Sequence, residues 1–362
     1  MPERPPHLLV YISGHGFGHV AQTAPVLDRL RALLPELRLT ICSSVPAAHL
    51  RARIHGVFDH IGDAADFGMV MASALDVLAD QSLAAYREFH HGWHARVEHE
   101  AARISRLKPD WVLSNIAYLP LAAARLAGVK SAAMCSLNWM DIFCHYCGSL
   151  PGAAEILGQM HDAYRAADTF LRVTPGMDMP SLDHVRAIGP IARLGGNCRG
   201  EISRRLGLEQ DEKLVLVSMG GIATQLPVAS WPVLPGVRWL VPADWRAARP
   251  DIAVLESLGM DFIDVLCSCD AFICKPGYGS FAEAACNGVP VLYVSRHDWP
   301  EEHCLVEWLS RHGRCAEISR QRFEAGELQA ALDGLWEAAG PRVAPGGIDE
   351  AADYLLKRLM KM

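Results

Sequence analysis

Lys275-Pro-Gly-Tyr-Gly-Ser-Phe-Ala-Glu-Ala-Ala-Cys-Asn-Gly-Val-Pro-Val-Leu-Tyr-Val294 reads as glycine turn, helix and strand in succession. Ahead of it, Ala271-Phe-Ile-Cys274 is an apolar run of strand length. Gly277 and Gly279 permit a tight turn and a close approach of ligand to backbone. Ser280 falls where the helix is expected to begin. A helix start offers unpaired N–H groups and a partial positive charge to an anion. Glu283 follows three residues later, inside the expected first turn, where a carboxylate can hold sugar hydroxyls. The same Ser-x-x-Glu spacing is also that of an ordinary capping box. The turn alone therefore leaves ligand binding and helix capping both open.

A second glycine patch shifts the balance. Leu8-Leu-Val-Tyr-Ile-Ser-Gly-His-Gly-Phe-Gly-His-Val-Ala-Gln22 runs from an apolar strand into a turn with Gly14, Gly16 and Gly18. A helix follows through Pro25–Leu34. The order resembles a dinucleotide fingerprint, but the spacing is Gly-x-Gly-x-Gly-His rather than Gly-x-Gly-x-x-Gly. A histidine at the mouth of the loop suits a general base better than a pyrophosphate cradle. An ordinary imidazole pKa of about 6.5 allows His19 to accept or give a proton near neutrality. The alternative for His19 is a helix-terminal residue bonded to a nearby carbonyl.

Composition narrows the class. A chain of 362 residues favours two domains with ample core. Hydrophobic residues at 51% make it globular. The formal charge of −7 and the lack of a long Lys/Arg cluster argue against nucleic acid as a partner. The opening Met-Pro-Glu-Arg-Pro-Pro lacks the form of a signal peptide. No apolar run has membrane-spanning length. Eleven cysteines scattered through apolar segments read as buried thiols, so a cytoplasmic location is expected. Cys144-His-Tyr-Cys147 has the spacing of half a zinc site, but no second Cys-x-x-Cys exists and structural zinc needs four ligands. No metal and no resident cofactor is expected.

Apolar strand candidates alternate with amphipathic helices. In the first half they are Leu8–Ile12, Leu37–Cys42, Trp111–Leu113, Ser131–Met134 and Thr169–Val173, with helices between them, notably around Leu83–Leu107. In the second half they are Lys213–Val217, Val237–Leu240, Phe272–Cys274 and Val289–Val294. Strands separated by helices indicate parallel sheets with right-handed crossovers. The fold class is α/β, with two doubly wound Rossmann-like domains facing across a cleft. Residues 1–187 form the first domain, the Gly/Pro-rich stretch 188–200 a linker, and 201–346 the second domain. The amphipathic segment Ile348–Met360, within 347–362, is expected to return to the first domain.

These motifs resemble those of GT-B glycosyltransferases, especially the UDP-sugar enzymes related to the peptidoglycan N-acetylglucosaminyltransferase. Gly14-His-Gly-Phe-Gly-His19 is similar to the amino-terminal glycine loop of that group. Ser218-Met-Gly-Gly221 is similar to its first carboxy-domain loop. Cys274–Glu283 with Gly288-Val-Pro290 and Glu301-Glu302 is similar to its donor signature. Gly277-Tyr-Gly279, Asp298-Trp-Pro-Glu-Glu302, Asp66-Phe-Gly68 and Ser136-Leu-Asn-Trp139 resemble most closely the amino-terminal domain of plant L-arabinokinase and its stand-alone bacterial relatives. No sugar-kinase phosphate loop follows, so no kinase activity is expected.

The resemblance implies a UDP-sugar donor. It assigns Gly16, Gly18, Ser218, Gly220, Gly221, Gly277, Tyr278, Gly279 and Ser280 to the diphosphate, Glu283 to ribose, Phe262 and Ile263 to uracil, and Glu301 and Glu302 to sugar hydroxyls. Two carboxylates there favour a neutral sugar. His19 would be the base. Asn138, Trp139 and Asp141 would line the acceptor side, against the alternative that they form an ordinary loop and core. The acceptor is unknown, and a homodimer is possible. The reading is metal-independent glycosyl transfer. UDP-sugar hydrolysis, 2-epimerisation and non-catalytic nucleotide-sugar binding are the alternatives.

Overall fold

The computed structural model describes residues 4–73, 76–220, 226–295, 298–338 and 340–361. They form two compact units. The first runs to Ile191 and takes in the C-terminal segment from Gly346; the second is essentially Ala192–Pro345.

The first unit holds strands β1 (His7–Ile12), β2 (Arg38–Cys42), β3 (Asp59–Ile61), β4 (Trp111–Asn115), β5 (Ser131–Cys135), β6 (Thr169–Val173) and β7 (Val185–Ile188). They lie in the order β3-β2-β1-β4-β5-β6-β7, all parallel. The second unit holds β8 (Lys213–Val217), β9 (Val237–Val241), β10 (Ile252–Val254), β11 (Ala271–Cys274), β12 (Val291–Val294) and β13 (Cys315–Ile318). Their order is β10-β9-β8-β11-β12-β13, again parallel. Both units repeat the dinucleotide-fold order, in which the winding reverses between the first and fourth strands.

The central strands are the ones that composition reveals. β1 is buried along its whole length because helices cover both faces of a parallel sheet. Each fully buried Leu or Val there contributes about 1.5–3 kcal/mol. The edge strands β3, β7, β10 and β13 are short and partly exposed, so they carry no continuous apolar run. The helical stretch around Leu83–Leu107 is made of two helices, Ala79–His90 and Trp93–Leu107. Gly92, at φ 70°, breaks it, since a left-handed residue cannot continue a right-handed helix.

The terminal helix Gly347–Leu359 packs on the helix Gly18–Leu33 and on β7. Ala351, Ala352, Leu355 and Leu359 form its buried stripe. Arg29 pairs with Asp349 at 2.6 Å, and Tyr354 donates to Thr169 Oγ1 at 2.7 Å. Gly347 N–H donates to the Pro190 carbonyl at 3.0 Å. No helix among the described residues is long and apolar enough to cross a membrane.

Candidate active site

The first unit gathers its polar side chains where its winding reverses. Ile12 pairs with Asn115 across β1 and β4, and Ser13 N–H continues the ladder to the Asn115 carbonyl at 2.9 Å. The glycine loop leaves β1 there. Gly16 sits at φ 87°, which requires glycine, and a methyl group on Gly14 would lie 2.1 Å from Ser44 Oγ. Gly18 opens the helix Gly18–Leu33, which has no side-chain cap and no acidic residue in its first turn. His19 is the second residue of that helix.

His19 is buried, and its Nδ1 lies 2.9 Å from Asn115 Oδ1 and 3.8 Å from Cys135 Sγ. Burial holds its pKa down at about 4, against a smaller upward pull from the Asn115 hydrogen bond. The sequence reading gave His19 the ordinary value; in the fold it is a neutral imidazole at any pH near 7. Asn115 Nδ2 donates to Gln22 Oε1 at 3.1 Å, and Gln22 Nε2 donates to Ser136 Oγ at 2.9 Å. All three residues are buried.

Beside this chain lies a buried carboxylate. Asp66 accepts from Ser13 Oγ at 2.8 Å and from Trp139 Nε1 at 2.8 Å. Burial pushes its pKa up to about 6, even against those two hydrogen bonds. The Trp139 ring stands edge-on to His15 and His19, at 5.1 and 5.9 Å between ring centres. Gly68, at φ 68°, brings the Asp66-Phe-Gly68 turn close enough that a methyl group there would strike the His15 ring at 2.5 Å.

The three acceptor-side candidates take the following places. Trp139 has no exposed surface, so it braces Asp66 and the two histidines from behind and presents no face to a sugar. Asn138 caps the helix Trp139–Cys147, accepting from Asp141 N–H at 2.8 Å and donating to Asp141 Oδ2 at 2.7 Å. Burial raises the Asp141 pKa. Asn138 and Asp141 thus answer one another as a helix cap.

In the second unit the same reversal point carries two loops. Val217 pairs with Ile273, and Ser218 N–H donates to the Ile273 carbonyl at 3.0 Å. Gly220 sits at φ 78°. Gly221 lies outside the described residues. The donor-loop helix is Tyr278–Asn287, with Gly277 at its cap position, no side-chain cap and no acidic residue in the first turn. Tyr278 and Gly279 are its first two residues, both buried. Ser280 is therefore the third helical residue, the helix starting two residues earlier than expected, and its hydroxyl bonds the Cys274 thiol. Glu283 lies in the second turn and is buried, so the capping box read from the sequence does not form. Its carbonyl accepts from Asn287 Nδ2 at 2.8 Å.

Lys275 was not singled out by the sequence reading. Its side chain runs beside both loops: a methyl group on Gly220 would lie 3.9 Å from its Cε, and one on Gly277 would lie 4.0 Å from its Nζ. Phe262 and Ile263 begin the helix Phe262–Cys267, capped by Asp261. Ile263 is buried in the core, while Phe262 is half-buried and edge-on to Phe272 at 6.4 Å. Only Phe262 of the pair has surface to offer a base. Glu301 and Glu302 are both buried at the start of the helix Glu302–His312. Trp299 Nε1 donates to Glu301 Oε2 at 3.2 Å, and Ser295 Oγ donates to Glu302 Oε1. Among the described residues, no group of three or more His, Cys, Asp or Glu is arranged to hold a metal ion.

No protein-family profile matches the chain. Over 341 residues, 89% of this chain, the sequence is 24% identical to L-arabinokinase of Arabidopsis thaliana. The chain spans 31% of the length of that relative. The fold is similar to the glycosyltransferase of kitacinnamycin, with a TM-score of 0.63 and 19% identity over 98% of this chain and 99% of that one. It is likewise similar to a UDP-glucosyltransferase from Polygonum tinctorium, with a TM-score of 0.57 and 14% identity over 99% and 100% of the two chains. The architecture of two Rossmann-like units is the GT-B fold of glycosyltransferases.

Proposed function

We propose that the protein transfers a glycosyl group from a UDP-sugar, with the nucleotide held by the second unit and the acceptor proton taken by His19 of the first. The observation that carries this reading is the anion cradle at the reversal point of the second sheet. Two loops leave adjacent strands there, Lys275 runs beside both, and the helix Tyr278–Asn287 starts without a side-chain cap. Three sources of positive potential converge: an ammonium, the N–H groups of a helix's first turn and a helix dipole. A diphosphate is the ligand that such a cradle fits.

In this reading the backbone of Ser218, Gly220, Gly277, Tyr278, Gly279 and Ser280 holds the diphosphate; the motif resemblance assigns Gly221 to it as well. Glu283 binds the ribose, Phe262 lies along the uracil, and Glu301 and Glu302 take donor-sugar hydroxyls. Gly16 and Gly18, which the motif resemblance assigns to the diphosphate, keep a supporting role here: they shape the loop that presents His19. As the acceptor oxygen attacks the anomeric carbon, its proton passes to His19 and the bond to the diphosphate oxygen breaks. The charge developing on UDP is met by preorganised N–H groups and Lys275.

The test is UDP release from a panel of UDP-sugars, with and without cell-extract acceptors and with and without a chelator. The panel includes UDP-glucose, UDP-galactose, UDP-arabinose and UDP-N-acetylglucosamine, the last because of the motif resemblance to the peptidoglycan enzyme group. Acceptor-stimulated release that survives chelation is expected. Release to water alone would make the protein a hydrolase, and UDP binding with no turnover a non-catalytic module.

A further inference from the structure

His19 does not face a carboxylate. Its Nδ1 meets the side-chain amide of Asn115, which meets that of Gln22, which meets Ser136 Oγ, at 2.9, 3.1 and 2.9 Å. The four residues come from three elements: His19 and Gln22 from the helix Gly18–Leu33, Asn115 from the end of β4, and Ser136 from just after β5. An amide has one donor end and one acceptor end, so a chain of amides has a direction. Asn115 gives its Nδ2 to Gln22, which turns its Oδ1 toward His19. An oxygen can only accept, so the proton of neutral His19 sits on Nδ1 and the lone pair sits on Nε2.

We infer that Asn115 and Gln22 are positioning residues that lock His19 in the tautomer with Nε2 free to accept a proton, and that their lack of charge keeps the imidazole neutral through the working pH range. The inference rests on His19 as proton acceptor and adds what sets its state. A carboxylate in the place of Asn115 would stabilise imidazolium; an amide orients the ring without doing so. The other titratable groups facing this site are the Cys135 thiol, His15, and Asp66 through Trp139. Of these, the Cys135 Sγ lies 3.8 Å from Nδ1, well beyond the Asn115 oxygen at 2.9 Å, and Asp66 reaches the ring only through Trp139.

The experiment is nitrogen-15 spectroscopy of imidazole-labelled protein, with His19→Gln identifying the His19 signals. The wild type should show protonated Nδ1 and bare Nε2 from pH 8 to below pH 5. Asn115→Asp, which keeps the shape, should move His19 titration upward by at least a pH unit and shift the acid limb of UDP release from UDP-glucose by the same amount. Gln22→Met should leave the fold and UDP affinity intact, mix the two tautomers and lower turnover roughly tenfold to a hundredfold, within the range a general base contributes. A wild-type His19 protonated on Nε2, or a titration unmoved in Asn115→Asp, would overturn the inference. Full turnover in His19→Gln would instead overturn the underlying assignment of the base, which the tautomer measurement does not depend on.

Discussion

The two units share a strand order and a reversal point but fill that point differently. At the end of β4 the first unit places Asn115 in a buried side-chain chain with His19, Gln22 and Ser136, and beside it the buried pair Ser13 and Asp66. At the equivalent place on β11 the second unit has Ile273 and Cys274, both apolar in behaviour, with burial pushing the Cys274 thiol pKa well up. Among the described residues, its two loops bring backbone N–H groups, glycines and Lys275 together, with Glu283 farther along the helix. Side-chain networks of fixed direction can set protonation states, whereas backbone N–H groups and a helix dipole hold an anion without titrating. On the proposed reading, the same scaffold serves once for proton transfer and once for a diphosphate.

The comparison breaks most visibly at His19. His19→Ala should lower turnover by about 10²–10⁴-fold, the contribution of a general base, with UDP affinity unchanged by calorimetry. Lost UDP affinity would move His19 to the nucleotide side and erase the division. Trp139→Ala should destabilise the protein by about 3–5 kcal/mol, the cost of emptying a fully buried aromatic site. Denaturant unfolding measures that. A stable variant with only a raised acceptor KM would restore Trp139 as a stacking platform.

Titration sharpens the contrast further. His19 sits at about 4 in the fold against an ordinary 6.5, so stability is lost as pH falls between those values and the unfolded chain takes the proton first. Asp66 sits at about 6 against an ordinary 3.8, so its contribution runs the other way, rising as pH falls through that window. Each amounts to about 3 kcal/mol, and the two largely offset one another. Asp66→Asn removes one side of the balance. It should lose roughly 3 kcal/mol more than wild type between pH 7 and pH 4 by chemical denaturation. Parallel pH curves for the two proteins would contradict the buried charges assigned to the first unit.

How much of this could be read from the chain follows the same line. Central strands such as β1 and β8 announce themselves because both faces are covered. The edge strands β3, β7, β10 and β13 do not, being short and half exposed. The glycine loops were legible because turn chemistry is local. Helix phase was not: the start at Tyr278 moves Ser280 off the cap and Glu283 into the second turn. Asn115 was lost because the strand was ended at Leu113, two residues short of the carboxyl edge where ligands gather in such sheets. Gln22, a polar residue 1% exposed in mid-helix, looks in sequence like any surface glutamine. Only tertiary placement gives it a partner 93 residues away. Asp66 and Trp139 were visible as motifs, but their hydrogen bond was not.

The central claim is that nucleotide binding and proton transfer belong to different units, and one calorimetric series tests it most directly. UDP is titrated into wild type, Lys275→Met, Glu283→Gln and His19→Ala. Lys275→Met and Glu283→Gln should each weaken UDP by about 1.5–3 kcal/mol, the worth of a hydrogen bond to a charged group, which is roughly tenfold to a hundredfold in Kd. His19→Ala should match wild type. Wild-type affinity in both second-unit variants, with UDP binding lost in His19→Ala, would contradict the account.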